Sequence, residues 1–115
     1  QTYKEQLPTA MANVDTLYDS GVRIAMGTDT GPPARFQGYF EHMEMHMMVD
    51  AGMSALDAIR SSTGVAAECI GMADIGTLEP GKWGDFSVLT ENPVEDIRNS
   101  HSIESVWIAG NRVQD

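Results

Sequence analysis

An aspartate set between glycines has the clearest chemistry in this sequence. The run Gly27-Thr28-Asp29-Thr30-Gly31 follows a short apolar stretch, VRIAM at residues 22–26. If that stretch is a strand of a parallel α/β fold, Asp29 lies just past its carboxyl end, where such folds bind ligands. A carboxylate there can ligate a metal, accept a proton from a metal-bound water, or both. The residues alone leave another role open, because Asp also forms turns and caps helices. Thr28 and Thr30 are expected to shape the loop rather than to react.

Other residues invite chemical readings. His42 and His46 stand four apart on a predicted helix, so they share a face and could chelate a metal. The zincin pattern needs Glu directly after the first His, and Met43 is there instead; Glu44 points to another face. Substrate contact by His42 is the better functional reading, against a solvated helix face for the pair. Arg35 and Tyr39, in or beside the loop after Asp29, are further candidates for substrate contact. His101 falls in a predicted loop and carries no assigned role. The methionines at 43, 45, 47, 48 and 53 are expected to pack a core, since Met fills irregular gaps. Asp29-Thr30-Gly31 also spells the aspartic protease signature. Small proteases of that kind are almost entirely β and pair two Asp residues from a dimer. The helices predicted over residues 39–51 and 55–61 argue against that reading.

The positioning elements can be read from periodicity. Met11, Val14, Leu17 and Tyr18 recur at helical spacing, and Asp19-Ser20-Gly21 stops the helix. Residues 22–26, bounded by Gly21 and Gly27, read as a buried strand. Phe40, Met43, Met47 and Ala51 mark a second helix that Gly52 ends. Ser54, with Asp57 three residues on, opens a third helix, and Thr63 caps a short fourth that ends at Gly71. After about residue 73 the pattern changes to short extended runs punctuated by Pro and Gly. Gly110-Asn111 suits a two-residue hairpin turn between strands at 103–109 and 112–114. The strand at 22–26 has no parallel neighbour in this chain, and parallel neighbours arrive through crossovers of about a dozen residues or more. Each buried unpaired backbone group would cost roughly 1–3 kcal/mol. The expectation is that the partner strands come from an N-terminal portion outside this chain, which would make the chain a fragment.

Bulk properties narrow the function classes. The chain has 115 residues and a formal charge of -10 at pH 7. So acidic a surface repels phosphates, which argues against nucleic acid and anionic membranes as partners. Cys69 is the only cysteine, so no intrachain disulfide forms, in keeping with a reducing, cytoplasmic setting. No run approaches the ~20 apolar residues of a membrane span. Self-association into a homo-oligomer is compatible with this composition.

Several segments together resemble the amidohydrolase superfamily of metal-dependent hydrolases, in its imidazolonepropionase-like and dipeptidase-like branch. Residues 21–29 resemble the eighth barrel strand, and residues 49–63 the helix pair that follows it. Residues 75–89, 91–97 and 106–110 resemble the return of the chain into a small β-sandwich domain. Trp83-Gly84 and Phe86-Ser87 depart from the small or aliphatic residues usual there. The resemblance implies an α/β fold: the C-terminal part of a (β/α)8 TIM barrel over residues 1–73, plus sandwich strands over 74–115. It implies one or two divalent metals, usually zinc, with Asp29 as metal ligand and proton shuttle. The other ligands would lie on strands outside this chain. The activity implied is hydrolysis of a carbon–nitrogen bond (amide, cyclic amide or dipeptide) in a small-molecule substrate, with the isolated chain inactive. A non-catalytic scaffold of the same fold is the alternative, which the lack of an upstream His-x-His pair would favour.

Overall fold

In the computed structural model, residues 2–34 and 36–114 are described, with Tyr3 described through its backbone. Helices α1 (Tyr3–Asp19), α2 (Tyr39–Asp50), α3 (Ala55–Ser62) and α4 (Gly64–Cys69) come first. Strand β1 (Phe86–Leu89), a 3-10 helix (Ile97–His101), β2 (Ile103–Ile108) and β3 (Asn111–Arg112) follow.

Three helices stop in the same way. The N–H groups of Gly21, Gly52 and Gly71 return to Tyr18, Val49 and Glu68, and those of Val22, Met53 and Met72 to Leu17, Met48 and Ala67. This is the Schellman closure, which needs a left-handed residue after the cap. The three glycines supply it at φ 76°, 108° and 75°. Met48 and Met53, joined across one closure, are both buried. The expected cap at Ser54 is present: its Oγ accepts the Asp57 N–H at 3.1 Å. Tyr18 and Ser54 hydroxyls and the Arg60 guanidinium all donate to the Asp57 carboxylate. These donors, Tyr18 first, hold its pKa down at about 2. The expected cap at Thr63 does not form, because its hydroxyl turns back to the Ile59 carbonyl at 2.7 Å.

The run at residues 22–26 belongs to no sheet among the described residues, whose strands all lie after residue 85, so the expected parallel neighbours are not among them. A strand is defined by its ladder, and the described residues supply none here. Met26 N–H instead reaches the Ser61 carbonyl at the end of α3, at 3.0 Å. Ile24 and Met26 pack against a core of Met48, Met53, Ala58 and Ile97, together with Val14 and Tyr18 of α1. Met45 joins that cluster. Met43 and Met47 instead line an apolar groove of about 290 Å³ that includes Leu7, Met11 and Phe40. Ile97 ties the later part of the chain into the same core.

The sheet is antiparallel, in the order β1-β2-β3. Phe86 faces Trp107 across it, with stacked rings 5.6 Å apart. The β2–β3 turn falls one residue earlier than expected. Ile108 pairs with Asn111, so Ala109-Gly110 is the two-residue loop, both residues at positive φ. A type I′ turn requires that, and Asp85 helps fix it by accepting the Ala109 N–H at 2.7 Å.

Gly76 marks a close approach between α4 and the loop leading to β1. A Cβ there would lie 2.6 Å from Ala67 Cβ and 2.9 Å from the Thr63 carbonyl, at φ 86°. At Gly71 (φ 75°) a Cβ would meet nothing within 4 Å. Gly71→Ala therefore costs strain alone, about 1 kcal/mol, whereas Gly76→Ala adds overpacking and is expected to cost about 2–4 kcal/mol. Urea unfolding midpoints check this, and equal losses at the two positions would contradict the packing.

Candidate functional site

The loop after residues 22–26 is held by one helix. Gly27 N–H donates to Glu44 Oε1 at 3.0 Å. The Thr30 and Thr28 hydroxyls donate to Glu41 Oε1 at 2.8 and 3.2 Å. Glu41 Oε2 accepts the Gly38 N–H at 2.6 Å, which caps α2 at its start. The Thr30 hydroxyl is the main cause holding the Glu41 carboxyl below its ordinary pKa, so it stays an ionised acceptor. Both threonines next to Asp29 are thus anchored, and Asp29 sits exposed between them. Its backbone is left-handed, φ 51°, a region that Asp tolerates better than most residues. The expected loop-shaping role of Thr28 and Thr30 is what their bonds provide.

The other candidates occupy different surroundings. Tyr39 is 54% exposed, and its ring makes an edge contact with Phe40 at 5.4 Å. Arg35 lies outside the described residues. His42 is partly buried, with Nδ1 2.9 Å from Ser100 Oγ. Its ring packs against His101 with centroids 4.3 Å apart, and His46 meets His101 at 5.1 Å. The pair on α2 is therefore two of a cluster of three histidines, completed by His101 from the 3-10 helix, and its partly buried side chains do not form a fully solvated face. His46 Nε2 is buried with no hydrogen-bond partner among the described residues. No group of three or more His, Cys, Asp or Glu among the described residues could hold a metal ion.

Sequence reasoning missed Glu41, Glu44 as a loop anchor, and His101. For Glu41 and Glu44 a signal existed: two carboxylates one turn apart on a helix repel unless donors meet them. For His101 none did, since its partners lie more than 50 residues away in sequence.

The model of the amidohydrolase family matches residues 3–113. The chain belongs to the amidohydrolase family. It is 36% identical over 97 residues to ochratoxinase from Aspergillus niger, covering 79% of this chain and 19% of that protein. It is 30% identical over 101 residues to imidazolonepropionase from Deinococcus deserti, covering 84% and 25%. A crystal structure of a Xaa-Pro dipeptidase with bound methionine superposes at TM-score 0.81 and 32% identity, covering 94% of this chain and 26% of that one. The chain thus spans about a quarter or less of the length of these relatives. The aspartic protease reading falls, because the Asp29-Thr30-Gly31 run sits in a largely helical amidohydrolase segment.

The histidine cluster makes stability depend on pH. Desolvation first, and then the neighbouring His101, lower the pKa of His42 and His46 below the ordinary 6.5. Arg98 adds to this at His46, while Glu41 at His42 and Asp50 and Asp96 at His46 oppose it. The unfolded chain then binds more protons than the folded one below about pH 6.5, so stability rises with pH through that window and is lost as pH falls. The melting temperature is expected to drop between about pH 7 and pH 5, and His46→Leu to flatten the drop. Equal slopes in the two proteins, followed by circular dichroism, would contradict the assignment.

Proposed function

We propose that this chain is the C-terminal portion of a metal-dependent amidohydrolase that cleaves a carbon–nitrogen bond in a small molecule, with Asp29 as metal ligand and proton carrier. The observation carrying this reading is the presentation of Asp29: an exposed residue between two anchored threonines, just after the apolar run at residues 22–26. That run takes the place of the eighth barrel strand, and residues 1–73 the last part of the barrel. Residues 74–115 supply strands of the accompanying sandwich. The groove lined by Met43 and Met47 and the ladder-free run at 22–26 suit packing against an N-terminal barrel portion.

The fit to a divalent cation is partial. Asp29 is an exposed residue whose carboxylate is a donor of the right type for zinc, and the described residues offer no trio to complete a site. The remaining ligands then belong to the barrel portion outside this chain. When bound, the cation lowers the pKa of water to about 7 and so supplies hydroxide at neutral pH. Asp29 accepts the proton of the attacking water and passes it to the leaving nitrogen. Thr28, Thr30, Glu41 and Glu44 keep its backbone in place. Tyr39, with Arg35 and His42, stands as the candidate contact for the substrate.

The whole protein, assayed on a panel of dipeptides and cyclic amides, is expected to lose activity by about 10²–10⁴-fold on Asp29→Asn. The isolated 115-residue chain is expected to show none. Unchanged turnover in Asp29→Asn, or zinc-dependent hydrolysis by the chain alone, would overturn the proposal.

A further inference from the structure

We infer that Glu41 is the positioning residue of the site: it sets the backbone of Asp29 by gripping the threonines on either side. This rests on the reading of Asp29 given above. Helix capping needs one carboxylate oxygen, and Glu41 uses Oε2 for it, on Gly38 N–H. Its other oxygen does something capping does not explain: it accepts both Thr30 and Thr28 hydroxyls, at 2.8 and 3.2 Å. The two hydroxyls also lie 3.3 Å apart, so they converge on one point. Pinning the residues before and after Asp29 leaves its peptide little freedom, which is what a left-handed non-glycine residue requires to persist. Glu44 holds the entry to the loop through Gly27 N–H. Glu41 and Glu44 are one turn apart on α2, so a single helix face carries the start of the loop and both neighbours of Asp29. Their mutual repulsion is offset because each faces donors from the loop. The ionised state of Glu41 strengthens these bonds, since hydrogen bonds to a carboxylate are about twice as strong as neutral ones.

The whole protein tests this with three variants. Glu41→Gln weakens the grip, and also touches the helix cap. The double variant Thr28→Val, Thr30→Val removes the grip and leaves the cap intact. Thr28→Ser, Thr30→Ser keeps both hydroxyls and should behave as wild type. Two readouts are used: the Cα and Cβ shifts of Asp29 in protein labelled at aspartate, and affinity for Co²⁺ alone, followed by its visible absorption. In Glu41→Gln and in the valine pair, the Asp29 shifts should move away from left-handed values and Co²⁺ affinity should fall about tenfold. That is the scale set by losing one charge-assisted hydrogen bond. Wild-type shifts and affinity in the valine pair, while Asp29→Asn still weakens Co²⁺ binding, would overturn the inference and leave Asp29 a ligand. Unchanged Co²⁺ affinity in Asp29→Asn is the separate signature of failure of the underlying reading, and the positioning role falls with it.

Discussion

The structure depends on what one helix can hold at once. Helix α2 grips the Asp29 loop with Glu41 and Glu44, meets the 3-10 helix with His42 and His46, and puts Met48 into the core. Its sequence is therefore not a simple apolar stripe with a polar back. Polar residues face other parts of the chain, and methionines fill the uneven spaces between. The start of the loop is held by side chains of this helix, through Gly27 N–H and the Thr28 and Thr30 hydroxyls. A rigid element carrying the loop is the usual way to hold a reactive group within a fraction of an ångström.

The helical elements are legible in the sequence because their stops are local, whereas the pairing of the run at 22–26 is not. Each Schellman stop is a local event, decided by a glycine and the few residues before it, and Gly21, Gly52 and Gly71 announce theirs. A ladder is not local. Nothing within VRIAM says which backbone will pair with it, and in this chain Ser61 of α3 takes one N–H instead. The hairpin was one residue off for a related reason: Asp85, far away in sequence, accepts the Ala109 N–H, and Asn111 turns its side-chain amide onto the Ala109 carbonyl. Those bonds favour Ala109-Gly110 as the turn over Gly110-Asn111, although Ala tolerates positive φ poorly.

For the site, the pattern of glycines around an acid pointed to Asp29, but not to what holds it. The grip of Glu41 joins residues 11 and 13 apart across a loop, and hydroxyl donors leave no mark in a hydropathy pattern. The surroundings of His42 were not legible in the sequence. Beside its position near the loop, its ring nitrogen and ring meet Ser100 and His101, residues more than 50 positions away in sequence. The helix therefore connects the loop to the sheet-bearing part of the chain, with adjacent residues Glu41 and His42 serving the two sides.

The family places this chain among hydrolases several times its length, and the described residues present the exposed Asp29 without a complete metal site. The central claim is that this carboxylate faces a cation completed by the rest of the protein. Zinc-edge anomalous diffraction from crystals of the whole protein tests it most directly. The account predicts a peak with an Asp29 carboxylate oxygen at about 2.0–2.2 Å, the ordinary zinc–carboxylate distance. A zinc peak away from Asp29, with its side chain turned from the ion, would contradict it.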